Sequence, residues 1–107
     1  MRIQGNPQEM LKQAKAMQER LQKEIASIRV DASTGGGMVT VTMNGNKTVT
    51  KLEIEPEATE DVEMLQDMVR GAVNEAARRV DERTQEKLGS MMGGMMGGMG
   101  LPPGLLG

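Results

Sequence analysis

Apolar residues recur near the start of the chain at Met10, Ala14, Met17, Leu21, Ile25 and Ile28. That spacing averages close to the helical repeat of about 3.6 residues. Good helix formers such as Gln, Lys, Glu and Ala fill the gaps. Asn6 is placed to cap the helix, Pro7 suits its first position, and Glu9 completes a capping box. The pattern predicts a helix from about Pro7 to about Ser27 with one apolar stripe. The period then shortens to two. Arg29–Ser33 alternates as a short strand, Thr34–Gly37 reads as a turn, and Met38–Met43 is β-branched with Val39, Val41 and Met43 on one face. Asn44-Gly45 predicts a tight hairpin in which both residues take positive φ. Lys47–Glu55 is the returning strand, closed by Pro56. Val49 is out of phase with Leu52 and Ile54, which requires either a bulge or partial cover on both faces.

A second helix starts near Thr59, with Thr59 as its cap and Glu60, Asp61 and Glu63 at the positive end of its dipole. Val62, Leu65, Val69, Ala72, Val73, Ala76 and Val80 form its stripe. Gly71 points away from that stripe, so either another chain approaches there or the position is tolerated. Beyond Val80 the same sector carries Arg83 and Lys87, which predicts a helix that has left its packing partner and projects into water. From Gly89 the chain is a Met/Gly repeat followed by Leu101-Pro102-Pro103-Gly104. Gly-rich chain loses much entropy on ordering. The expected organisation is one α+β domain over residues 1–88 (helix, three-stranded antiparallel sheet, long helix) and a disordered tail over 89–107.

Composition narrows the chemistry. The 107 residues include no Cys, no His and no aromatic residue. Disulfides, thiolate zinc sites and His-based triads are excluded. The small interior must be built from aliphatic residues and Met, which favours completion of the core by oligomerisation. No segment approaches the roughly 20 apolar residues of a membrane span, and no apolar signal core is seen. These features lead to the expectation of a cytoplasmic, non-enzymatic protein without cofactor, membrane or small-molecule substrate. Gly35-Gly36-Gly37 lacks the Gly-Lys-Ser/Thr of a phosphate loop. The pairs Glu53/Glu55 and Glu60/Asp61/Glu63 read as strand-end and helix-start acids rather than a metal site. Met91, Met92, Met95, Met96 and Met99 offer thioethers suited to Cu(I), but without Cys or His beside them they read as tail.

Net charge is −2, yet its distribution is uneven. Residues 1–30 hold six bases against three acids, and Lys12, Lys15 and Lys23 lie opposite the apolar stripe. Near the end of the second helix Arg79, Arg83 and Lys87 follow at four-residue intervals with Arg78 adjacent. Like charges so spaced weaken a helix by a few tenths of a kcal/mol per pair, of order ~0.3, and an anionic partner would relieve that. The same residues, with Glu75, Glu82 and Glu86 at helical spacing, also read as an ordinary solvated face. If nucleic acid is the partner, the absence of aromatic rings disfavours base stacking. Recognition would then rest on phosphates of duplex DNA, and two copies of each basic face would bind better than one.

Several features together carry a resemblance. They are Met10-Leu11-Lys12-Gln13-Ala14, Gly37-x-Val39-x-Val41, Asn44-Gly45, Leu52-Glu53-Ile54-Glu55-Pro56, Ala72-x-Asn74-Glu75-Ala76 and Leu101-Pro102-Pro103-Gly104. In this order, over nearly the whole chain, they resemble the YbaB/EbfC family of bacterial nucleoid-associated proteins. The family often has Asp where Glu55 stands, and its tail lacks so long a Met/Gly repeat. The resemblance implies an α–β–β–β–α protomer, a tweezers-like homodimer, a cytoplasmic and nucleoid location, duplex DNA as partner, and neither catalysis nor cofactor. It supplies no residue-level contact motif. Charge placement alone nominates Lys12, Lys15, Lys23, Arg78, Arg79, Arg83 and Lys87 as phosphate contacts. A protein-interaction adaptor, docking through its helices or Met-rich tail, is the alternative expectation.

Overall fold

The computed structural model describes residues 6–98. The first helix, α1 (Pro7–Ala26), begins as its capping signals predict: Asn6 is extended and its side-chain oxygen accepts from the Glu9 amide at 2.7 Å. It ends at Ser27, whose hydroxyl donates to the Glu24 carbonyl at 2.7 Å. Three strands follow, β1 (Arg29–Thr34), β2 (Val39–Asn44) and β3 (Val49–Ile54), as an antiparallel sheet in chain order. A 3-10 turn at Pro56–Glu60 leads to the long helix α2 (Val62–Gly98). This is the α+β order that the hydrophobic pattern predicts.

The β1–β2 turn needs glycine. Gly35, Gly36 and Gly37 all have positive φ, a region costly for residues with a Cβ. A Cβ on Gly35 would also fall on the Met68 sulfur.

The second connection differs from the expected two-residue hairpin. Gly45 to Thr48 link the strands, and the residue with positive φ is Lys47, not Asn44 or Gly45. Asn44 organises this turn by accepting from the amides of Asn46 and Thr48 at 3.0 and 3.1 Å. Gly45 serves close packing instead: a Cβ there would collide with the Ile25 carbonyl oxygen at the end of α1.

Register resolves the phase slip in β3. Val39 faces Ile54, Val41 faces Leu52, and Met43 faces Val49, with an irregularity between Thr42 and Met43. Directly opposed residues share a face, so the bulge returns Val49 to the side of Leu52 and Ile54. Of the two alternatives the sequence left open, the bulge is present. Yet α2 lies across β1 and β2, and β3 keeps that face uncovered. Val49, Leu52 and Ile54 are 41%, 47% and 38% exposed.

The core is a narrow wedge between α2 and the first two strands. Val30 and Ala32 of β1, Val39, Val41 and Met43 of β2, and Met68, Ala72, Ala76 and Val80 of α2 are buried, with Ile28 and Ala58 beside them. Leu65, Val69 and Val73 pack partly against this cluster. Burial of one such side chain contributes about 1.5–3 kcal/mol. By contrast, no residue of α1 is buried.

Two expectations for α2, its start and its course beyond Val80, are corrected. It starts at Val62, and Asp61, not Thr59, accepts from its first turn, at the Met64 amide (3.1 Å). The Thr59 hydroxyl instead donates to the Pro56 carbonyl inside the 3-10 turn. A Cβ on Gly71 would meet the Thr34 methyl at ordinary contact distance, so packing within the protomer does not demand glycine there, in keeping with the tolerated-position alternative. Beyond Val80 the helix does not simply enter water: Lys87 and Leu88 are half-buried, and Lys87 pairs with Glu24 of α1 at 3.2 Å. The helix bounds run on to Gly98, into the first part of the Met/Gly segment. Extending an existing helix adds one hydrogen bond per residue fixed, and Met is a good helix former. The expectation for residues 99–107 lies outside the described residues.

Candidate nucleic-acid interface

The seven nominated cations fall into two electrostatic groups. Lys12, Lys15 and Lys23 are exposed on α1, and none has a carboxylate within salt-bridge distance among the described residues. Leu11, Ala14 and Gln18 share a shallow surface depression with Lys12 and Lys15. Arg20 is exposed on the same helix.

On α2 the picture is different. Arg78 donates to Glu75 at 2.6 and 3.0 Å and to Glu82 at 2.9 Å. Arg79 donates to Glu75 at 3.0 Å and to the Asp31 carbonyl of β1 at 2.5 Å. Lys87 is tied to Glu24. Of the four nominated cations on α2, Arg83 is the one without such a partner among the described residues. Two guanidinium groups, Arg78 first and Arg79 second, lower the Glu75 carboxyl to about 2. Glu75 in turn raises Arg78 above its ordinary range, with a smaller contribution from Glu82.

Tertiary register adds a residue that periodicity missed. The Thr34 hydroxyl donates to the Met68 carbonyl at 2.7 Å, and Arg79 reaches Asp31. These contacts run α2 antiparallel to β1 along the free edge of the sheet. Arg29 of β1 therefore comes to the same level as Arg83, and both line a groove with Val30, Asp31, Arg79, Glu82 and Glu86. Arg29 is visible in the sequence as one of the six N-terminal bases, but nothing local links it to a helix 50 residues later.

The carboxylates weighed for chemistry have structural roles where they have contacts. Asp61 caps α2, and Glu53 pairs with Lys51. No group of three or more potential metal-ligating acids occurs among the described residues. No helix among them is long and apolar enough to cross a membrane.

Fold and surface define a small α+β protein with an unpaired cationic helix beside a paired one. The family follows from comparison. The chain matches the YbaB/EbfC DNA-binding family over residues 4–95 and belongs to that family. It is 50% identical over 75 residues to a nucleoid-associated protein of Acidobacterium capsulatum, covering 64% of this chain and 69% of that one. A nucleoid-associated protein of Koribacter versatilis is 52% identical over 72 residues, covering 65% and 71%. The fold is similar to the crystal structure of the uncharacterized protein HP0035 from Helicobacter pylori. There the TM-score is 0.71 at 24% identity, over 86% of this chain and 99% of that chain.

Proposed function

We propose that this protein is a non-catalytic, nucleoid-associated protein. It binds duplex DNA as a homodimer through phosphate contacts, in the cytoplasm at the nucleoid, and thereby organises the chromosome or modulates transcription. The observation that carries the reading is the unpaired cationic face of α1 in a member of a DNA-binding family. Lysines without intramolecular partners are free to replace the counterions of a polyphosphate. With no aromatic residue in the chain, base stacking contributes nothing, and phosphates of either sequence are equivalent targets.

The uncovered row of β3 supports the dimer. Val49, Leu52 and Ile54 present apolar surface beside a free strand edge. An edge strand of this kind is self-complementary about a two-fold axis. A second copy seated there would extend a core whose largest fully buried side chains are only Val39, Val41 and Val80. Two copies would also present two cationic helices to one duplex, raising the effective concentration of the second contact.

Gel-shift titration of duplex against single-stranded DNA at two salt concentrations, beside sedimentation of the free protein, tests both parts. Duplex binding that weakens steeply with salt is expected; a flat dependence would refute phosphate contact. Leu52→Glu should convert the sedimenting dimer to a folded monomer, because Leu52 is half exposed in the protomer and tolerates a charge there. An unchanged dimer would remove β3 from the interface.

The adaptor reading keeps one specific support. Met10 and Leu11 are 59% and 70% exposed on a helix with no buried residue, surface that a partner helix could cover. Capture of a protein that survives nuclease treatment and is lost on replacing Leu11 would favour it.

A further inference from the structure

We propose that Arg29 and Arg83 form a phosphate seat at the root of α1, with Arg79 as a fixed third guanidinium. The ligand is a phosphodiester group of duplex DNA. The proposal rests on the DNA-binding reading above and specifies where, beyond the α1 lysines, the backbone is gripped.

The seat follows from register. Arg79 is pinned between Glu75 and the Asp31 carbonyl. One helical turn on, a rise of about 6 Å, stands Arg83. Two residues back along β1 from Asp31, about 6.6 Å in the matching direction, stands Arg29. The two side chains reach one groove from different elements.

Acids line the groove too, but two of them are engaged. The Asp31 carboxylate accepts from the Thr42 hydroxyl at 2.7 Å, and Glu82 accepts from Arg78. Glu86 also borders the groove, yet neither Arg29 nor Arg83 has any carboxylate within 4.0 Å among the described residues. Two unpaired guanidinium groups facing one groove repel each other until an anion lies between them. The planar fork of arginine suits phosphate oxygens, which it contacts in pairs. The groove walls are mostly polar, which fits a phosphodiester rather than an inserted base.

Glu86 provides a test of opposite sign. It has the charge to oppose an anion in the groove, so its removal should tighten binding. Fluorescence anisotropy of a labelled duplex with the full chain, between about 50 and 200 mM salt, reads both affinity and salt slope. Arg29→Gln with Arg83→Gln should weaken binding at least about tenfold and reduce the salt slope by about 2 for each protomer that engages the duplex. Glu86→Gln should tighten binding about threefold, a gain that misfolding cannot produce. Arg70→Gln, the loss of one charge on α2 outside the groove, should leave the slope close to the wild-type value.

If the wild-type protein binds and the double variant keeps its slope, the seat is overturned while the DNA reading stands. Tightening absent in Glu86→Gln likewise overturns it. Wild-type protein that ignores duplex DNA overturns the seat together with the reading beneath it.

Discussion

The two basic helices look alike in sequence and differ in the folded chain. On α1, Lys12, Lys15 and Lys23 have no ionic partner among the described residues. On α2, Arg78, Arg79 and Lys87 are each held by an acid, one of them contributed by α1. Charge density is therefore a poor guide to charge availability. A cation already paired must break that contact before it meets a phosphate, so its net gain is small. An unpaired one loses only its counterion. The α1 lysines and Arg83 are thus the stronger part of the original nomination, and Arg78 and Lys87 the weaker.

The comparison breaks most visibly under charge reversal. Lys12→Glu, Lys15→Glu and Lys23→Glu together should weaken duplex binding by more than about 100-fold at moderate salt and remove close to three units of salt slope for each protomer that engages the duplex. Arg78→Gln with Lys87→Gln should cost less than about threefold, because those charges are already satisfied within the protein. Titration of both variants against one duplex decides the matter. Equal losses would show that pairing in the free protein does not limit DNA contact.

A second difference lies in how the helices are held. Four buried residues anchor α2 to the sheet, whereas α1 has none and meets the rest of the protomer near its C-terminal end. There Gly45 lies against the Ile25 carbonyl. Gly45→Ala should force that junction apart and destabilise the protein by about 1–3 kcal/mol, read as a lower midpoint in urea. If stability is unchanged, the end of α1 yields without penalty and is not fixed by this contact.

Much of this architecture is legible in the sequence, for a physical reason. Helix and strand periods are local, so the α1 stripe, the alternation of β2 and the Asn6 cap can be read from neighbours a few residues apart. The bulge in β3 was legible as a phase conflict between Val49 and Leu52, though register was needed to resolve it. Gly45 misled because Asn-Gly is a strong turn signal, while its glycine is required by contact with α1, 20 residues earlier. The start of α2 shifted because Asp61 competes with Thr59 for the capping role, and Thr59 bonds back to Pro56. The candidate interface was legible as composition but not as geometry. Pairing of Lys87 with Glu24, and the meeting of Arg29 with Arg83, depend on how α2 lies along β1.

The smallest expected effect concerns Glu75, the acid that occupies two of the α2 arginines. Removing it by Glu75→Gln takes one partner from each arginine, leaving Arg78 with Glu82 and Arg79 with the Asp31 carbonyl, and should tighten duplex binding by no more than about twofold, by the ordinary scale of exposed charge pairs. The same residue gives the pH signature. Its carboxyl is lowered to about 2 by Arg78 and Arg79, below the ordinary carboxylate value near 4.3. A depressed carboxylate stabilises the fold above its unfolded pKa, and that contribution fades as pH falls toward about 2. Thermal melts should therefore separate wild type from Glu75→Gln at pH 6 and bring them together near pH 2. The α1 lysines, which hold no carboxylate, should add nothing to this convergence. A gap between the two proteins that is the same at both pH values would mean that the Glu75 pairs do not stabilise α2. The distinction between a paired and an unpaired helix would then rest on geometry without energy behind it.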